Sequence, residues 1–162
     1  MALDAPKLSA TEAPFVGAYM SAYKLVPELS VADLERSRHF YVSVLGFTVE
    51  FERPENRFIY LSFFGVDLMI EEDRNREGDS ALWIVEPLDY PRGRGLNLSI
   101  DCPNVTDLAQ RLHAAGIPLR KPIEDNWYRN NDILHGERNF LVQDPDGYLL
   151  RFAEHVGDRR AP

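Results

Sequence analysis

The sequence predicts an α+β fold made of two tandem βαβββ modules. Three observations lead there. A stretch with period-two alternation runs into a capped helix and then three short strands, and this order occurs twice. The two strand–cap–helix–Gly stretches, one through Leu29–Leu34 and one through Leu98–Asp101, lie roughly 69 residues apart, too long a period for a solenoid array. The second copy ends with the turn Asp144-Pro145-Asp146-Gly147 feeding a terminal strand, with proline fixing φ and glycine open to positive φ.

Each element follows from its residues. Lys24–Val31 puts Leu25, Pro27, Leu29 and Val31 on one face, the pattern of a strand. Asp33 can cap a helix with Leu34, Arg38, Tyr41 and Leu45 at helical spacing, closed by Gly46. Phe47–Glu52, Phe58–Phe64 and Asp67–Glu71 read as strands, separated by turn signals at Pro54–Asn56 and Gly65. In the second copy, Gly95–Ile100 alternates. Asn104 or Thr106 caps a helix carrying Val105, Leu108, Leu112 and Ala115, and Gly116 ends it. Leu119–Ile123, Asn139–Gln143 and Tyr148–Glu154 complete the set, leaving Asn126–Arg129 in a polar loop. The organisation is an N-terminal extension at 1–21, a first module at 22–72, a linker at 73–94, a second module at 95–157 and a tail at 158–162. Within the linker, Ala81–Val85 is either an extra edge strand or a segment lying over a ligand-binding hollow.

Composition narrows the function. At 162 residues, with 44% hydrophobic and 27% charged residues, the chain has the balance of a globular protein. The net charge of −8, with no clustered Lys/Arg stripe, argues against nucleic acid and favours a cationic ligand through long-range attraction. No apolar run reaches the ~20 residues of a membrane span, and the first twenty residues lack the basic and apolar regions of a secretory signal. A cytoplasmic protein is expected. The single cysteine, Cys102, excludes an internal disulfide and a multi-thiolate metal site, and reads as a small packing residue.

Two motifs carry a family likeness. Val26-Pro27-Glu28-Leu29-Ser30-Val31-Ala32-Asp33-Leu34-Glu35-Arg36-Ser37 is followed by Phe40-Tyr41 and Leu45-Gly46-Phe47, and Asp144-Pro145-Asp146-Gly147-Tyr148 leads into the last strand. In order and placement, from about Lys24 to His155, they resemble the vicinal oxygen chelate superfamily of glyoxalases, extradiol dioxygenases and bleomycin-resistance proteins. The resemblance implies that each module curls into a cup-like mixed sheet with its helix on the outer face. It implies that two cups face each other around a cleft, and that subunits pair, so a homodimer is expected. Family enzymes hold one divalent metal through the first and last strand of each unit. Carried over, those places fall at Val26, at Met69 (or Glu71 with a slip of two), at Gly95 and at Arg151. Such a metal wants imidazole or carboxylate donors, and these side chains offer at most one, so no metal or other cofactor is expected.

The four histidines do not repair the set. His39 and His113 fall within helices, His135 in a polar loop and His155 beyond the last strand. No nucleophile–base spacing or phosphate-cradling glycine loop is present, so no catalytic residue is assigned. With the apolar strand faces against the helices, the opposite faces carry Glu28, Ser30, Met69, Glu71, Asn97, Ser99, Leu149 and Arg151. Glu28 and Arg151 either contact ligand or pair with each other. Phe58 and Tyr60 on a strand, Trp83 and Tyr90 in the linker, and Trp127 and Tyr128 in the polar loop supply planar rings for stacking or for holding a cation. The expectation is a metal-independent small-molecule-binding protein, similar to bleomycin-resistance proteins, that sequesters a cationic aromatic antibiotic. The alternatives are a glyoxalase-like lyase or isomerase acting on a small anionic metabolite, with Glu28 or Glu71 as base and Arg151 as anion partner, and a ligand sensor.

Overall fold

The structure is a computed structural model and describes residues 25–73 and 82–162. The extension at 1–21 and Ala81 of the linker lie outside the described residues. Two four-stranded mixed sheets form, one per module, as expected for a tandem βαβββ chain.

In the first module, β1 (Glu28–Val31), α1 (Leu34–Arg38), β2 (Thr48–Arg53), β3 (Phe58–Phe63) and β4 (Val66–Glu72) give the sheet order β1-β4-β3-β2. The second repeats it: β5 (Asn97–Asp101), α2 (Val105–Ala114), β6 (Lys121–Asn130), β7 (Ile133–Gln143) and β8 (Leu149–Arg160) stack as β5-β8-β7-β6. The first strand of each module pairs in parallel with the last; the other pairings are antiparallel. Among the described residues no helix is long and apolar enough to cross a membrane.

The caps are where the sequence puts them. The side chain of Asp33 accepts from the Arg36 N–H and that of Asn104 from the Asp107 N–H, each filling an orphan donor of a first turn. α1 continues as a π-helical segment (His39–Leu45), whose wider winding lets Phe40, Tyr41, Val44 and Leu45 all reach the core. Gly46 then takes φ +88, which lets the chain reverse into Phe47.

The duplication extends to the ion pairs. A Glu72 carboxylate oxygen accepts from the Leu34 N–H at the start of α1 (2.9 Å) and is gripped by Arg57. Glu154 accepts from the Val105 N–H at the start of α2 (2.9 Å), with Arg138 3.5 Å away. Both arrangements bring a carboxylate to the positive end of a helix.

One core serves both modules. Leu29, Val31, Leu61, Phe63 and Ile70 from the first sheet share it with Ile100, Phe140, Val142, Leu150 and Phe152 from the second. The Phe63 and Phe152 rings meet edge to face across the junction (6.0 Å). The helices touch each other there, and Arg111 donates to the Leu45 carbonyl at 2.9 Å. The opposite faces of the two sheets therefore point away from the shared core.

Several boundaries also change. β6 runs to Asn130, so Asn126–Arg129 is strand rather than polar loop. β7 begins at Ile133 and β8 reaches Arg160, which puts His135 and His155 on strands and turns most of the expected tail into sheet. In the linker, residues 82–85 form no strand; Trp83, Ile84 and Val85 instead line a cavity with Glu28 and Ser30, the second of the two alternatives.

Candidate ligand-binding faces

The first sheet builds an aromatic face. On β3, Ile59, Leu61 and Phe63 point into the core and Tyr60 to the opposite face; Phe58 lies on that opposite face too but is only 1% exposed, which corrects its reading as a ligand-facing ring. On β2 a β-bulge between Val49 and Phe51 resets the alternation, so Phe51 comes opposite Tyr60. The Phe51 and Tyr60 rings stack at 4.9 Å, Phe51 lies 5.9 Å from Phe58, and the Arg53 guanidinium sits 3.9 Å over Phe58. Such offset contacts hold rings rigid and present flat surface. The Tyr60 hydroxyl donates to Asp67 at 2.8 Å.

Carboxylates border this ladder. Met69 lies opposite both Tyr60 on β3 and Glu28 on β1, and Glu71 lies opposite Phe58 and Ser30. Glu28, Ser30, Tyr60, Met69 and Glu71 thus share one face of the first sheet, with Phe58 buried beneath Phe51 and Arg53. Phe51 and Asp67 join them without having been singled out. The bulge hid Phe51, because a strict alternation from Val49 assigns it to the other face. Alongside, Glu28 and Ser30 line a cavity of about 340 Å3 with Trp83, Pro91, Arg92 and Tyr148. Trp83 is 76% exposed at its rim, beside exposed Leu82 and Val85.

The second sheet presents a cationic and amide-rich face. Ser99 pairs with Arg151 and Asn97 with Leu149. The Ser99 hydroxyl accepts from the Arg151 Nε (3.1 Å) and Nη2 (2.9 Å), which orients the guanidinium. Among the described residues Arg151 forms no ion pair, so the alternative of a Glu28–Arg151 pair is not realised within the chain. Further along this face, Asn139 donates to the Tyr128 hydroxyl and accepts from Asn126.

Trp127 is elsewhere. One residue from Tyr128 on β6, it faces the opposite side, where its ring covers Gly136 and Val156 and carries the Arg159 guanidinium at 3.9 Å. Sequence placed Trp127 and Tyr128 together in a loop; the strand separates them onto two faces.

The metal positions can now be matched through the repeat. Superposing the caps Asp33 and Asn104 sets Val26 opposite Asn97, not Gly95, and superposing the turn glycines Gly65 and Gly147 sets Met69 opposite Arg151. The capped helix start is the firmer anchor, since Gly95 lies before β5. The corrected set is valine, methionine, asparagine and arginine. It supplies no carboxylate or imidazole, and its guanidinium repels a cation, so it does not fit the family's divalent ion. No group of three or more His, Cys, Asp or Glu suited to a metal occurs among the described residues. Cys102 is buried at the end of β5, and burial pushes its thiol up to about 11, which keeps it protonated and unreactive near neutrality.

Comparison with known proteins agrees with this architecture. The family described as the Glyoxalase/Bleomycin resistance protein/Dioxygenase superfamily matches residues 24–152. A superfamily member from Vibrio splendidus 12B01 is 34% identical, covering 80% of this chain and 95% of its own, with a TM-score of 0.36. A protein of unknown function from Agrobacterium tumefaciens str. C58 is 25% identical (85% and 97% covered, TM-score 0.61). TioX from Micromonospora sp. ML1 is 22% identical (83% and 100% covered, TM-score 0.63) and shares the fold. A search of curated proteins finds no match.

Proposed function

Because the chain belongs to the glyoxalase/bleomycin resistance protein/dioxygenase superfamily, we propose that it is a binding member of that superfamily, one that captures a flat aromatic molecule bearing positive charge without using a metal. The observation that carries this reading is the Phe51–Tyr60 stack, backed by the buried Phe58 ring and bordered by Asp67, Glu71 and Glu28. Rings fixed by stacking offer area at little entropic cost, and neighbouring carboxylates favour a cationic rim on the ligand. A cationic aromatic antibiotic of the bleomycin type has this chemistry, and the net charge of −8 would speed its approach.

A second copy of the chain completes the site in this reading. Each hollow face turns away from its own core and needs an opposing wall, and exposed Leu82, Trp83 and Val85 beside the first face supply apolar surface for the contact. The partner's second module would then bring Arg151 and its amides across from the ladder.

The test is calorimetric titration of metal-free protein with bleomycin. Saturable binding, weakened at least about tenfold in Tyr60→Ala and in Glu71→Gln, supports the proposal; a flat titration of the wild-type protein overturns it. Arg151, oriented by Ser99 and without a carboxylate partner among the described residues, favours a second reading, a lyase or isomerase acting on a small anion. A small carboxylate that raises the melting temperature of the wild-type protein but not of Arg151→Ala would favour that reading.

A further inference from the structure

The internal repeat is broken at one corner. Where the β7–β8 turn meets the β1–α1 corner, Asp146 seals the junction. Its carboxylate accepts from the Ala32 N–H (3.1 Å) and from Arg36 (3.1 Å), with Ser37 and Arg92 close by. Superposing the caps and turn glycines puts Pro103 in the place of Ala32 and Phe64 in the place of Asp146. Proline has no N–H to donate and phenylalanine has no oxygen to receive one, so the second corner loses its seal on both sides.

In its place stand two cavities, of about 540 and 550 Å3, which share Phe64, Cys102 and Pro103. These volumes fall within the range of small-molecule sites. Phe64 is 69% exposed and holds φ +45 in a two-residue turn, a position that asparagine or glycine fills at less cost. The Phe64 ring meets core residue Phe63 edge to face at 4.8 Å and leaves most of its surface in solvent at the mouth of both cavities.

The 550 Å3 cavity is acidic. Asp101, Glu137 and Glu154 line it with His135 and His155, and the two imidazoles are both in contact with Asp158. Glu154 is committed to Val105 and Arg138. Glu137 is not: its carboxylate makes no hydrogen bond among the described residues, and while its Oε2 is enclosed by the protein its Oε1 is left for the cavity side.

We infer that this corner is a second ligand site, at the end of the second sheet's face beyond Ser99 and Asn139, that takes a small organic ammonium ion by setting it against the Phe64 ring with its N–H groups toward Glu137 and Asp101. An ammonium held between a ring face and carboxylates gains from both.

The experiment is amide chemical-shift mapping on the full chain titrated with phenethylammonium, with 2-phenylethanol as the uncharged control. Saturable shifts confined to the Phe64, Cys102 and Glu137 neighbourhood are expected with a Kd of about 1 mM or tighter, and the alcohol should bind at least about tenfold more weakly. Glu137→Gln should weaken the amine about tenfold. Phe64→Asn should abolish binding while keeping the cooperative melt of the wild-type protein, since asparagine accepts the left-handed turn and offsets the lost Phe63 contact, so lost binding cannot reflect lost folding. Tyr60→Ala and Arg151→Ala should leave it unchanged. Equal binding of the alcohol, undiminished binding in Phe64→Asn, no saturation, or shifts abolished by the hollow-face variants would each overturn the second site. None of these bears on bleomycin capture at the first face.

Discussion

The Tyr41 hydroxyl donates to the Asp144 carboxylate at 2.9 Å across the module junction, a bond between residues 103 apart in sequence. Both groups are buried, and Asp144 also accepts from the N–H groups of Asp146 and Tyr148. This polar knot fixes the β7–β8 turn against the π-helical segment and so holds one module on the other.

Burial raises the Asp144 carboxyl to about 6, outweighing the hydrogen bonds from Tyr41 and Tyr148 that pull it down. The folded protein therefore binds this proton more tightly than the unfolded chain does. The contribution is fully present below the unfolded value of about 4 and is lost as pH rises through about 6, a difference of roughly 3 kcal/mol. Urea unfolding at a series of pH values should show this descending component between about pH 4 and 6, absent in Asp144→Asn. Burial, reinforced by the Asp144 charge, keeps Tyr41 protonated as donor throughout that range. Tyr41→Phe should cost about 1–3 kcal/mol, because it strips a donor from a buried carboxylate.

The two carboxylate locks at the helix starts should differ in strength. Glu72 is fully buried and meets Arg57 at 2.7 Å, whereas Glu154 is partly exposed and meets Arg138 at 3.5 Å. Denaturant melts should show Glu72→Ala costing about 3–5 kcal/mol, the range for breaking a buried pair. Glu154→Ala should cost about 1–2 kcal/mol, mainly through the uncapped Val105 N–H.

The sequence carried the helices and turns because their signals are local: Asp33 and Asn104 at the caps, Gly46 and Gly147 where φ is positive. It also carried the first face through Tyr60, which stands between buried Ile59 and Leu61; Phe58 keeps the same alternation but is itself buried. The outer half of the second sheet was illegible for the opposite reason. Residues 124–130 of β6 have no fully buried side, so no period-two pattern separates strand from loop. Phe51 was masked by a bulge, and the unsealed corner at Phe64 emerges only when the two modules are compared in space.

Metal content gives a sharp check on the site chemistry. Val26, Met69, Asn97 and Arg151 offer a dication no carboxylate or imidazole. Protein incubated with excess zinc, nickel or ferrous iron and then desalted should carry far less than one ion per chain by elemental analysis. Near-stoichiometric retention would reject the corrected positions. Replacing Arg151 with glutamate and Val26 with histidine restores two donors and should raise retention.

The separation of Trp127 from Tyr60 yields a contrast that tests the choice of face. Trp127 packs on Gly136 and Val156 beneath the Arg159 guanidinium, on the side of β6 turned away from Arg151. Its truncation removes buried ring area and a cation–π contact, so Trp127→Ala should lower stability by about 1–3 kcal/mol. Bleomycin affinity, measured at a temperature where the variant stays folded, should change less than about twofold. Phe51→Ala should do the reverse. It leaves the shared core intact but takes the stacking partner from Tyr60, and should weaken binding at least about tenfold. If affinity followed Trp127 instead, the ligand would lie on the outer side of the β6–β7 hairpin, and the aromatic ladder of the first sheet would be a packing feature alone.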